Sequence, residues 1–297
     1  MSSVQIDVKL SSLPTAEAAK ELINSAKGIV MEPKDPEVFT VGVDILIKPI
    51  LFHEVYLQSK GWFSPTTALA LQRVRMRKGF KDFKKTYRFT DRGVFRQRRE
   101  PKNSQEASLI PERWTEFRKD FYPYDDMDQF ACRTIMEPST ILYVLATAEI
   151  KESGNPLNLC VFDKKRLYLV VIKPGASERR QVVYLEKSAQ GERQKMETVE
   201  VVPLALKSEP LSKNGKQDKF SFLGFEGDID ILLEKSARFP VEIIGHIPAV
   251  GTVNFKLRQM RMGNNLLLEK ERKTAKGIDC QSEQLVSKKR LDSDPGP

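Results

Sequence analysis

Residues 219–262 read KFSFLGFEGDIDILLEKSARFPVEIIGHIPAVGTVNFKLRQMRM, and the rhythm of this stretch decides the fold class. Val253, Phe255 and Leu257 fall on one parity, Asn254, Lys256 and Arg258 on the other. Ile229, Ile231 and Leu233 repeat the pattern against Asp228 and Asp230. Period-2 alternation sends successive side chains to opposite faces, so each run predicts a strand with one buried and one wet face. The breaks are Ser236–Pro240 and Pro248–Gly251, where Pro fixes φ and Gly permits positive φ. Such short connections predict neighbouring antiparallel strands in a meander.

Upstream, the same signals recur. VFTVGVDILIKPI from Val38, FHEVYLQSK from Phe52 and ALALQRVRMRK from Ala68 are rich in β-formers. A hairpin is predicted from Lys84–Thr90 and Val94–Arg99 around Asp91-Arg92-Gly93, with Tyr87 and Phe89 on one face. Strands return at Leu157–Phe162, Leu167–Ile172, Val182–Glu186 and Thr198–Leu206. Pro101–Pro123 reads as a long polar crossing segment anchored by Trp114, Phe117, Phe121 and Tyr122. The strongest helical spacing runs over Asp126–Lys151. There Met127, Phe130, Ala131 and Ile135 are followed, after Pro138-Ser139, by Ile141, Val144, Leu145 and Ala148. An apolar helix within a β chain must bury its stripe against the sheet.

The expected architecture is mainly β (α+β): a curved antiparallel sheet or half-barrel packed around one central helix. Residues 1–36 read as a lead-in segment with a short amphipathic helix over Thr15–Met31, residues 37–262 as the half-barrel domain, and residues 263–297 as a disordered polar tail.

The chain has 297 residues, 40% hydrophobic and 30% charged, an ordinary globular mixture with no apolar run of membrane-spanning length. Its +9 charge is local: Arg73–Arg99 holds 12 Lys or Arg against Asp82 and Asp91, leaving the remainder close to neutral. Met1–Leu10 lacks the layout of a secretory leader, so the expectation is a cytoplasmic chain or a mature form whose leader has been removed. Of three cysteines, Cys280 lies in the polar tail, while Cys132 and Cys160 are either buried thiols or one bridge.

No catalytic or cofactor motif emerges. His53 and His246 have no paired ligands, and the Asp228/Asp230 and Asp125/Asp126/Asp128 groups lack a calcium-loop spacing, so no metal site is assigned. The basic stretch is the most functional-looking feature. Arg73, Arg75 and Arg77 share one strand parity, and Arg96 and Arg98 another. They are the basic surface candidates, able to grip phosphates while Phe80, Phe83 or Tyr87 stack on bases. The plainer reading is a solvent-facing sheet dressed with arginine; attraction to anionic lipid headgroups is a third.

Tyr87-Arg88-Phe89-Thr90-Asp91-Arg92-Gly93-Val94, Arg98-Arg99-Glu100-Pro101 and Pro138-Ser139 opening an apolar helix resemble the domain of unknown function 3108 family of exported Gram-negative bacterial proteins. The ending Arg238-Phe239-Pro240-Val241, Gly245-His246-Ile247-Pro248 and Gly251-Thr252-Val253 is similar as well. The resemblance implies a sheet curled around a helix, like the half-barrel of envelope lipoprotein carriers, and supplies no catalytic residues. It implies a non-catalytic, periplasmic envelope protein with a groove for an apolar or lipid-like ligand or an envelope protein partner. The groove candidates are Ile229, Ile231, Val253, Phe255 and Leu257, with Ile141 and Leu145 opposite; taken singly, each reads more simply as plain core packing. The alternative is a nucleic-acid-binding module using the arginine face.

Overall fold

The computed structural model describes residues 3–48, 54–79, 81–124, 132–188, 191–211, 219–248 and 250–261. The tail beyond Arg261, His53, Phe80, Met127, Phe130, Ala131 and the Asp125/Asp126/Asp128 group lie outside them.

A first sheet is a seven-stranded antiparallel meander in which each strand pairs with the next in sequence: β1 (Ser3–Pro14), β2 (Glu37–Lys48), β3 (Val55–Phe63), β4 (Ala70–Lys78), β5 (Phe83–Phe89), β6 (Gly93–Glu100) and β7 (Glu116–Pro123). Residues 1–36 are therefore not a lead-in. β1 pairs with β2 along its whole length, setting Val4, Ile6, Val8 and Leu10 opposite Ile47, Ile45, Val43 and Val41. Between them, helix α1 (Thr15–Glu21) is shorter than the expected Thr15–Met31. The chain then crosses the outer face of the sheet, tied by Arg88 donating to the Ile23 carbonyl at 2.9 Å and by a bridge between Val30 and Thr90. Ala18 of this strap packs with Val38, Trp62 and Leu71 in a small outer core. The segment expected to cross as a loop is also partly strand: after the short helix α2 (Ser104–Ala107), β7 pairs with β6 over eight residues. Its aromatics divide, with Trp114 buried and Phe117 exposed.

The chain then enters a second sheet through β8 (Ile135–Met136) and helix α3 (Thr140–Thr147). β9 (Leu157–Asp163), β10 (Arg166–Pro174), β11 (Glu178–Ser188), β12 (Gly191–Pro210), β13 (Ser221–Phe222), β14 (Phe225–Glu234), β15 (Pro240–Ile247), β16 (Gly251–Lys256) and β17 (Gln259–Arg261) follow. The main order is β16-β15-β14-β12-β10-β9-β8, so the stretch quoted first forms one wing of this sheet. Ile229, Ile231 and Leu233 are buried on its inner face, as their parity requires.

The helix is shorter than its periodicity suggested. Ile135 and Met136 do not continue it but pair in parallel with Cys160 and Val161 of β9. A disulfide between Cys132 and Cys160 fixes the chain beside β9, and sheet pairing overrides the helical spacing there. Pro138-Ser139 does open α3, but the cap comes from Glu137, whose carboxylate accepts from the Ser139 amide at 3.1 Å and the Thr140 hydroxyl at 3.2 Å. At the other end the Arg238 guanidinium donates to the Ala148 carbonyl, placing a cation where the helix dipole favours one.

The main core is shared by both sheets and α3. Val41, Val43 and Ile45 come from β2, Ile141, Val144 and Leu145 from α3, and Ile229 and Ile231 from β14. Burying each such side chain stabilises by roughly 1.5–3 kcal/mol, which is what holds the helix between the sheets. A second core gathers Tyr87, Phe89 and Val94 around Phe162 of β9, below the disulfide.

Candidate binding site at the basic rim of the half-barrel

Strand register places the basic residues. Because Val41 and Val43 point into the main core, every residue in cross-strand register with them lies on the same inner face of the first sheet. The deeper rung runs Val41, Gly61, Arg73, Tyr87, Arg96, Asp120 across β2–β7. The next rung, toward the open ends of the strands, runs Val43, Ser59, Arg75, Lys85, Arg98, Arg118. Arg77 lies one rung further out, opposite Leu57 and Phe83. The arginines thus face the interior between the sheets, where a solvent-facing surface was expected. Val74, on the opposite parity, packs against the strap over the outer face. Both faces of these strands are partly covered, so parity alone could not say which was wet.

The deeper rung is compensated. Arg73 donates from Nη1 to Asp163 Oδ1 at 2.9 Å and from Nε to Ser59 Oγ at 3.2 Å, and Nε lies 3.2 Å from Glu137 Oε2. Glu137 and Asp163 are fully buried, so Arg73 is the cation that both carboxylates share out of water, with Arg75 standing 3.6 Å from Asp163 as a second. Gly61 makes room for Glu137: a Cβ there would stand 2.4 Å from Oε1. Arg96 donates to Asp120 Oδ2 at 2.6 and 3.1 Å, with its guanidinium 4.9 Å from the Tyr122 ring centre.

The rim rung is different. Four cations, Arg75, Lys85, Arg98 and Arg118, stand opposite one another on adjacent strands, an arrangement that repels. Arg75 forms a longer ion pair with Asp163 at 3.6 Å, beyond hydrogen-bond distance, while that carboxylate accepts from Arg73 at 2.9 Å and from the Ser221 amide at 3.1 Å. Arg98 donates from Nη2 to Glu100, while its Nε is buried without a partner. Lys85 forms no ion pair among the described residues; its ammonium rests 4.0 Å from the Phe83 ring centre, and Arg77 stacks on that ring at 4.8 Å. Burial first, then Arg75, Arg98, Arg96 and Arg77, push the Lys85 ammonium down to about 7.

The groove candidates separate by depth. Ile141, Leu145, Ile229 and Ile231 are buried in the main core, whereas Val253, Phe255 and Leu257 are half-buried, the first two packed against its edge. From the other sheet Val4, Ile6, Ile47 and Leu57 border the same core, and Val8 and Leu10 of β1 are exposed. Lys85, Arg118 and this apolar row of β1–β3 were not singled out from sequence. The alternation Val4, Ile6, Val8, Leu10 was the available signal. His246 is exposed on the polar parity of β15.

No protein-family model matches the chain, so the resemblance to the domain of unknown function 3108 family, carried by turns and strand ends, does not extend to a match with that family. A search of curated proteins finds no relative either. Among solved structures, the crystal structure of a beta-barrel-like protein of domain of unknown function DUF1849 from Brucella abortus aligns with a TM-score of 0.36 and 6% identity, covering 75% of this chain and 80% of that one. No helix among the described residues is long and apolar enough to cross a membrane. The fold itself is mainly antiparallel: two sheets that share one core with helix α3.

Proposed function

We propose that the protein is a non-catalytic binding protein of a bacterial cell-envelope compartment, taking a lipid-like or apolar ligand at the open rim of the half-barrel. The observation that carries this reading is the apolar row left uncovered beside a filled core. Val8 and Leu10 on β1 are exposed, Val4, Ile6 and Leu57 are half-buried, and Val253 and Phe255 border the same core from the second sheet. Inner-face alternation that continues into solvent marks a surface suited to an apolar partner. Ile141, Leu145, Ile229 and Ile231 serve as the floor beneath it.

The Cys132–Cys160 disulfide supports the compartment, since such bridges persist in oxidising surroundings outside the reducing cytosol. An envelope protein partner seated on the same row is the variant of this reading.

Mass spectrometry of organic extracts from gently purified full chain should find a co-purifying lipid, depleted by Leu10→Asp or Phe255→Asp. Extracts reproducibly free of lipid, with no binding of a short-chain phospholipid in titration, would sink the proposal.

A further inference from the structure

We propose that Lys85, with Arg75 and Arg98 on either side, forms a binding site for a phosphate-type oxyanion, the head of the lipid-like ligand. The inference deepens the reading above by naming the ligand's polar end, and the site stands without a tail.

Two geometric facts carry it. Arg75, Lys85 and Arg98 are direct cross-strand neighbours on the inner face of the first sheet, three cations side by side. Part of their donor capacity is also unspent: Lys85 has no carboxylate among the described residues, Arg75 meets Asp163 only at 3.6 Å, and the Arg98 Nε is buried without an acceptor while Nη2 takes Glu100. Guanidinium and ammonium donors match phosphate oxygens, and a dianion would relieve the repulsion the rung now bears. The side chains remain reachable, Arg75 being 22% and Arg98 29% exposed. The charges facing Lys85 are Arg75 and Arg77 from β4 and Arg96 and Arg98 from β6. Nearby carboxylates are already engaged: Glu100 on Arg98, Asp120 on Arg96 and Asp163 on Arg73. An anion therefore draws a proton onto Lys85 as it binds.

The test is calorimetric titration of the full chain at pH 8 with inorganic phosphate, with dihexanoyl phosphatidic acid and with dihexanoyl phosphatidylcholine, each in two buffers of different ionisation enthalpy. Phosphate and phosphatidic acid should bind with proton uptake. Lys85→Met and Arg98→Gln should each weaken both by about 10- to 100-fold and Lys85→Met abolish the uptake, while Lys85→Arg keeps the affinity. Binding unchanged in Lys85→Met and Arg98→Gln, or no binding of either anion, overturns the site. Phosphate binding with no gain for phosphatidic acid keeps the oxyanion site and removes the lipid. Phosphatidylcholine binding as well as phosphatidic acid, indifferent to Lys85, keeps the apolar groove and removes the oxyanion site. A single-stranded oligonucleotide binding more tightly than phosphatidic acid would overturn the lipid head in favour of a nucleic-acid backbone.

Discussion

The Arg73–Arg96 rung and the Arg75–Lys85–Arg98–Arg118 rung are neighbours on the same inner face, two residues apart along each strand, yet they hold charge in different ways. At the deeper rung each arginine has a carboxylate, and the second sheet supplies two of these, Glu137 and Asp163, from beside α3 and the end of β9. At the rim cations face cations, and the same Asp163 stands out of hydrogen-bond reach of Arg75. Buried charge joins the two sheets in the first case; in the second, Arg98 has Glu100 and Arg75 the longer contact to Asp163, and Lys85 has no ion pair among the described residues. The lesson is that one run of arginines can be half scaffold and half site, with depth between the sheets making the division.

The sharpest way to break this contrast is Arg73→Met, which removes the cation that buried Glu137 and Asp163 share and leaves Asp163 only Arg75 at 3.6 Å. It should destabilise by about 3–5 kcal/mol in denaturant unfolding. Replacing both Cys132 and Cys160 by Ser frees β8 from β9 beside the deeper rung and should lower stability by roughly 2–4 kcal/mol. Arg96→Gln should cost less, about 1–2 kcal/mol, because Asp120 is partly exposed and water can take over one side of the pair.

Lys85→Met should go the other way and stabilise by about 1 kcal/mol at pH 6, since it removes a like charge from the rim rung. Folding lowers the Lys85 ammonium from its ordinary 10.5 to about 7, so between those values the unfolded chain holds more protons than the folded one. Stability from this group therefore climbs as pH rises from about 7 toward 10.5, and the full penalty is present below about 7. The advantage of Lys85→Met over the parent chain should accordingly shrink with rising pH and vanish near pH 10. An advantage independent of pH would show that the two rungs do not differ in charge balance.

Much of this was legible before the fold was known. The strands of residues 219–261, the Asp91–Gly93 hairpin and the apolar run of α3 follow from period-2 and period-3.6 patterns, which are local. Where a non-local constraint competed, the local pattern lost. Ile135 keeps helical spacing but lies in a strand because the disulfide and β9 hold it. In residues 3–14, Val4, Ile6, Val8 and Leu10 alternate before a long excursion, and only pairing with β2 shows that the strand belongs to the sheet.

The arginine run shows the same limit at the candidate site. Its parity was evident, but which parity was inward was not, since the strap over the outer face covers Val74 while the second sheet covers Arg73.

By itself the sequence determined the fold class, the wing from β14 to β16, the apolar run of α3 and the concentration of positive charge in residues 73–99, because side-chain period and composition are properties of neighbouring residues. The tertiary structure alone decided that the arginines face inward, that Arg73 meets Glu137 and Asp163, and that Lys85 meets no carboxylate among the described residues. Those outcomes depend on which distant carboxylates the second sheet delivers to each rung, and no local pattern encodes the meeting of residues 73, 137 and 163.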